Sequence, residues 1–432
     1  MPEIKNEEKK EEKTIRLTQE QLEVIVKRHE HYITGRKGGV RAHLAHHDLS
    51  KLSFHKKNLS DADFTGAYLS ETDFSDAKLE RAIFYCADMR LADLRGASLI
   101  NADLRGASLR GANLVGANMT GTDLREGSLS SADSSGALKE AHQNLSYVDK
   151  GGANLSGANL SNTKMSGAVA TGSNFRDAMM KNAKIKNTSL KGANFTGADL
   201  ENADLSDCDM EDVILRKAIL TNTSINLSEI SKHNLEGVLM SAPVGLSIKD
   251  LPFPLQEMLR LHRLWIDSGS KEGRQFDISN YDMRGAGNFN GLNLAMLKAR
   301  QAILYGLDFS KSQLQTSEFR GADLRQANFS SCDMRGSNFM DAQLININLQ
   351  GTQLQPLLLA SGHKIVSDMS GAVLRHANLF KANLRSVKFR NVDLSDANLL
   401  EADLTDADFT GAKLTGARLD PSAKETLKDL LG

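Results

Sequence analysis

From Asp61 to Leu124 every fifth residue is Leu, Phe or Met: Phe64, Leu69, Phe74, Leu79, Phe84, Met89, Leu94 and onward. Two places before each stands a small residue, nearly always Ala, as at Ala62, Ala67, Thr72, Ala77 and Ala82. Neither the helical period of 3.6 nor the strand period of 2 produces a strict period of five. A short fixed period marks a repeat architecture.

One such unit is too short to bury its own apolar side chain, so units must wind into coils and the coils must stack. If each unit forms one side of a square, four units close a turn of about 20 residues, with stacked backbones roughly 4.8 Å apart. The large residue and the small residue two before it then share the inside. A narrow interior has no room for two large side chains at one level. The residue between them, usually Asp or Asn (Asp63, Asp73, Asp88, Asp93, Asp103, Asn113), faces solvent or turn backbone, and the next two residues form the corner.

This unit, A-(D/N)-L-x-x, resembles that of the pentapeptide-repeat family. The resemblance implies an all-β solenoid, a right-handed quadrilateral β-helix of pentapeptide repeats; the handedness comes from the resemblance and not from the period.

The rest of the chain reads as two tandem modules, each opened by an N-terminal capping α-helix. Residues 1–16 form a charged tail expected to be disordered. Thr18 and Gln21 then make a capping-box pair, and Leu22, Ile25, Val26 and His29 lie on one helical face. GRKGG (Gly35 to Gly39) ends the helix, and repeats run from about Leu44 to Ser134. The phase slips by one residue in an insertion at 135–152, resumes at Leu155, and decays from Asn222 to Met240. The first solenoid is thus 17–240, with 241–250 as a linker.

At Leu255 the opening repeats itself. Leu22, His29, Tyr32, Gly39 and Leu44 align with Leu255, His262, Trp265, Gly273 and Ile278. The second helix-capped solenoid spans 251–420, with irregular early units and a stretch at 355–368 that breaks the composition but keeps the phase. Residues 421–432 form a short C-terminal capping helix, with Asp420 as N-cap and Pro421 at the first helical position.

Candidate chemistry is sparse. His29, His31, His43, His46, His47 and His55 are the densest group of potential ligands. His29 and His31 fall on different helical faces and no Cys or carboxylate motif joins them, so no metal site and no cofactor is expected. GRKGG and its counterpart GSKEG follow a helix, where glycine is a stop signal rather than a phosphate cradle. The acidic run Asp204, Asp207, Asp209, Glu211 and Asp212 is spread around corners and does not converge on a calcium ion. Cys208 and Cys332 occupy the small-residue slot, Cys86 a corner, and no disulfide framework is implied. These thiols suggest a reducing, cytoplasmic location.

The chain carries a net charge of −1, and no apolar run approaches the about 18 residues of a membrane span. Direct nucleic-acid binding is therefore not expected. The expected function is a non-enzymatic scaffold or protein–protein interaction module, displaying the faces of a rigid β-helical rod to an unidentified protein partner. Oligomeric state is open. The candidate interaction surface comprises the corner arginines Arg90, Arg105, Arg110 and Arg125, with Asp88, Asp103 and Asp123 nearby to offset them. It also takes in His142 and Tyr147 of the insertion, Trp265 of the second cap, and Pro356 and His363. The alternative is a DNA mimic that binds an enzyme such as gyrase, as some proteins of the resembled family do. Mimicry needs a strongly negative face, which this charge balance does not provide.

Overall fold

The computed structural model describes residues 15–114, 117–125, 130–132, 138–140, 152–228 and 230–427. The chain divides into two compact units, Met1–Ser241 and Ala242–Gly432.

In the first unit the five-residue period becomes a ladder. The central residue of each unit pairs in parallel with its counterpart one coil later: His43 with Asp63, Asp63 with Ile83, Ile83 with Asp103. The step is 20 residues, so four units make a coil. The amide of each apolar residue donates across the step, as from Phe64 to the Ile83 carbonyl at 2.7 Å, and that of Asp63 donates back to Ala42 at 3.0 Å. Both inward positions are fully enclosed, with Phe64, Leu69, Ala62 and Ala67 all 0% exposed. Each enclosed Leu or Phe contributes roughly 1.5–3 kcal/mol. Phenylalanines one coil apart stack face to face, Phe54 on Phe74 at 4.7 Å and Phe64 on Phe84 at 4.8 Å, and the two columns meet edge-on.

Corners follow from the same geometry. The amide three residues after the apolar residue returns to its carbonyl (Ala67 to Phe64, 3.0 Å), and the second corner residue has positive φ. These are type II turn features, which favour Gly and Asn. Yet Lys51, Glu71, Cys86 and Leu91 also adopt them. Where Ala is replaced inside, polar substitutes find backbone carbonyls, several of them in the preceding coil: Thr72 to Leu49 O at 3.0 Å, Ser312 to Phe289 O at 2.6 Å and Cys332 Sγ to Phe309 O at 2.9 Å. Side-chain amides run the same way, as in Asn348 to Asn328 at 3.1 Å and Asn378 to Asn348 at 3.2 Å.

Helix α1 (Gln19–Ile33) opens the first unit with the expected Thr18–Gln21 capping box. Its Leu22 and Val26 join the solenoid core. Of the stretch expected as a tail, residues 1–14 lie outside the described residues. Arg16 pairs with Asp48 of the first coil, and Leu17 N donates to Asp48 O at 3.2 Å. The coil also leaves the stack earlier than the spelling suggests. Ser108 pairs with Asn154 and Asp123 with Val169, while β1 (Ser130–Ala132) pairs antiparallel with β2 (Leu138–Glu140). Ser130–Ala132 spell a repeat yet lie in this antiparallel pair, and Asn113 pairs with Asn159.

The second unit begins before its helix. The 241–250 stretch expected as a linker includes β3 (Leu246–Ser247), which pairs in parallel with β4 (Tyr281–Asp282). Helix α2 (Leu255–Asp267) buries Met258 and His262. A one-residue excess between Met283 and Phe289, with Gly285 and Gly287 at positive φ, accounts for the irregular early units. The regular ladder breaks once more. Asn338 pairs with Asp368, and β5 (Leu357–Leu358) with β6 (Lys364–Ile365) makes an antiparallel hairpin between. Helix α3 (Pro421–Thr426) follows the last coil, and Ala423 and Leu427 pack on its core. The Asp420 carboxylate accepts from Glu401 N at 2.9 Å instead of capping α3. Leu430 and Leu431 lie outside the described residues.

Candidate interaction surface

The two caps share one device. His29 is fully enclosed; its Nδ1 accepts from Ala42 N at 3.0 Å and its Nε2 donates to Ser60 O at 3.0 Å. In α2, His262 Nδ1 accepts from Phe276 N at 3.0 Å, but its Nε2 is buried without a hydrogen-bond partner among the described residues, unlike that of His29. Burial pushes both imidazoles below the ordinary histidine value. A neutral ring is what an accepting Nδ1 requires. Tyr32 stacks on His29 and Trp265 on His262, each at 5.8 Å. The aligned glycines also match. A Cβ on Gly39 would lie 2.4 Å from Tyr32 N, and one on Gly273 2.2 Å from Leu261 O. The histidines of the first cap gather no metal-binding group of three or more among the described residues.

The corner arginines are held by their own units. Arg90 forks onto Asp88 at 2.8 Å through two nitrogens. Arg105 does so onto Asp103 at 2.9 and 2.6 Å, with Tyr85 beneath it at 5.0 Å. Arg125 forks onto Asp123 at 3.0 and 2.7 Å. The motif Asp-x-Arg recurs at Arg95, Arg284, Arg325 and Arg335. At Arg95 the guanidinium holds the Asp93 carboxyl below the usual carboxylate range. Arg110 is half-buried one coil after Arg90. Within the acidic run, lysines of the preceding coil reach two of the acids, Lys186 to Asp207 at 3.4 Å and Lys191 to Glu211 at 2.7 Å.

The remaining candidates separate. Trp265 is half-buried against His262. His142 and Tyr147 lie outside the described residues. Pro356 stands at the foot of the β5–β6 hairpin and His363 at its turn, where His363 O accepts from Leu359 N at 2.9 Å. Sequence reasoning missed the neighbours that make this hairpin distinctive. Leu358 is 64% exposed and Leu359 38%, whereas Ile365 packs over Gly336. The run of three leucines at 357–359 was the available signal. Val244, Leu246 and Phe253 are likewise exposed at the start of the second unit. A groove of about 740 Å³ follows α2, lined by Leu259, Arg260, Arg263, Asn288, Leu292 and Asn293.

A repeating parallel ladder with Leu or Phe and Ala inside and paired charges outside defines a pentapeptide solenoid. The family profile for pentapeptide repeats matches residues 58–96, 87–130, 153–192, 193–228, 317–355, 367–396 and 382–420. The chain belongs to the pentapeptide repeat family, whose fold is the right-handed quadrilateral β-helix. Similar solved structures include HetL, a pentapeptide repeat protein involved in heterocyst differentiation regulation from Nostoc sp. strain PCC 7120. It is 19% identical, with 90% of this chain and 93% of that one covered and a TM-score of 0.16. QnrB1, a plasmid-mediated fluoroquinolone resistance protein, is 18% identical, with 46% and 92% covered and a TM-score of 0.27. A pentapeptide repeat protein from the Arabidopsis thaliana thylakoid lumen is 25% identical, with 33% and 78% covered and a TM-score of 0.16. No curated protein matches by sequence. Among the described residues no helix is long and apolar enough to cross a membrane.

Proposed function

We propose that this chain is a non-enzymatic scaffold that binds a protein partner at the interruptions of its repeat. It is organised as two tandem solenoid modules, 17–240 and 251–420, each opened by its own helix. The carrying observation is the β5–β6 hairpin. The regular coils enclose the leucines of their inward positions, while Leu358 stands 64% exposed beside Leu359, well above the 37% of the corner residue Leu91. Exposed leucines on a polar surface are the kind of anchor a protein interface covers. The exposed Val244, Leu246 and Phe253 support a second contact region in the 241–273 segment. The 135–152 insertion completes the set. Three free cysteines suit a reducing cytoplasm.

The DNA-mimic reading is less well supported. The Asp-x-Arg forks place a guanidinium beside the carboxylate at seven corners, so those positions do not present bare negative charge. The test is affinity capture with wild type and with Leu358→Ser/Leu359→Ser, both checked for equal thermal melting. Loss of one specific partner in the variant supports the scaffold reading. Identical partner profiles remove the hairpin as a contact.

A further inference from the structure

The protein builds the same cap twice, and the copies differ in a respect that capping does not require. On α2 the outward arginines are tied down within the helix, Arg260 to Glu257 at 2.8 Å and Arg263 to Asp267 at 3.6 Å. On α1 the outward face carries Val24, Lys27, Arg28 and His31, at i, i+3, i+4 and i+7. Lys27 and Arg28 are exposed and form no ion pair among the described residues. The glycine turn adds Arg36 and Lys37, and Val40 N donates to Arg28 O at 3.0 Å, which sets that turn beside the helix. Carboxylates nearby are already engaged, Glu23 by Lys57 at 3.1 Å and Asp61 by Arg81 at 2.7 Å. Glu30 is the one acid in the C-terminal half of α1.

Two ordinary explanations fall short. Helix-dipole compensation suits Arg36 and Lys37 at the helix end but not Lys27 and Arg28 within it. A merely solvated face would not need apolar groups, yet Val24 is 54% exposed, Tyr32 45% and Val40 54%. Four cations around three exposed apolar residues match a ligand that is both acidic and partly apolar.

We propose that the outer face of α1, with the adjoining Gly35–Gly39 turn, docks an acidic segment of a partner protein. Charge complementarity selects the acidic residues, and Val24, Tyr32 and Val40 receive its apolar side chains. Nucleic acid fits less well, because one tyrosine is no stacking platform and the net charge of −1 gives no long-range attraction. A lipid surface fits less well, because the exposed apolar residues are valines and a tyrosine, without the Trp, Phe or Leu face of an interfacial helix.

The test is fluorescence anisotropy of full-length protein with a labelled (Glu-Glu-Leu)₄ peptide. A DNA duplex and phosphatidylserine vesicles are run in parallel. The expected result is peptide binding that weakens at least ~10-fold, about 1.4 kcal/mol, in Lys27→Glu/Arg28→Glu. Binding should stay within about twofold in the control Arg300→Glu/Arg320→Glu, because those exposed arginines are already paired, with Glu318 and with Asp341. Both variants alter exposed residues, and equal melting temperatures confirm folding. No peptide binding, equal loss in both variants, or a preference for DNA or vesicles would each overturn the proposal. The hairpin is untouched by these variants, so failure here leaves the scaffold reading to its own test.

Discussion

His29 accepts the amide hydrogen of Ala42 on a fully enclosed ring, and the distance, 3.0 Å, recurs between His262 and Phe276 in the second unit. Each bond ties a cap helix to the strand entering the first coil. It exists only while Nδ1 is unprotonated.

Both histidines therefore make stability pH-dependent. Their folded values lie below the ordinary 6.5. Between the folded value and 6.5 the unfolded chain binds the extra protons, so stability rises with pH there. It is complete above about 6.5 and lost as pH falls through that value toward the folded one. Thermal melts should show Tm dropping from pH 7.5 to 5.5. The slope should flatten in His29→Gln/His262→Gln, even though that variant is less stable throughout. Carboxylates do not confuse the window, since those held low by partners, such as Asp61 beside Arg81 and Asp93 beside Arg95, titrate below it.

Gly39 and Gly273 admit no side chain, since a Cβ would enter the backbone of the helix each follows. Gly39→Ala should cost about 3 kcal/mol, a fall of roughly 6–12 °C in Tm. Gly38→Ala should cost less, because nothing lies within 4 Å of its Cβ and only its positive φ resists. Equal effects at the two positions would contradict this.

The Asp-x-Arg fork has different consequences by burial. Arg325 has a side chain only 6% exposed and sits on Asp323 at 2.6 Å. Arg325→Ala leaves that carboxylate without its cation and should cost about 3 kcal/mol. Arg105, 39% exposed in the same motif, should cost under about 1 kcal/mol on the same change. Urea unfolding of the two variants compares them directly.

The thiols should be inert in the folded protein. Burial pushes Cys332 up to about 12 and Cys86 up to about 11. Iodoacetamide at pH 8 should leave both unmodified in native protein and label them in denaturant. Rapid native labelling of Cys332 would show that the inner slot is open.

Much of the architecture was legible because one residue type is forced at one spacing. The inside of a coil admits a large and a small residue, and Phe64 with Ala62 says so without further context. The paired start at Leu22 and Leu255 was legible because a cap needs the same glycine and the same buried histidine. The limits of the coil were not. Ser130 to Ala132 still spell the repeat, yet backbone pairing takes them into a hairpin, and spelling does not encode which partner wins. The β5–β6 hairpin was concealed differently. It stretches one ladder step from 20 residues to 30, which preserves the phase. The carboxylates that offset Arg90, Arg105 and Arg125 were legible two residues before each arginine, but the two-nitrogen fork was not, because spacing does not encode side-chain geometry. The α1 cations, which form no ion pair among the described residues, were not legible as distinctive, because Lys27 and Arg28 resemble any solvated helix surface until the self-paired α2 stands beside them.

The central claim is that the regular coils carry the fold and their interruptions carry the function. The measurement that tests it is quantitative affinity capture by four folded proteins: wild type, Leu358→Ser/Leu359→Ser, deletion of 135–152, and Arg90→Gln/Arg105→Gln. The account predicts that a specific partner is lost with the hairpin or the deletion variant and retained by the arginine variant. Loss with the arginine variant alone, with full capture by the other two, would contradict it.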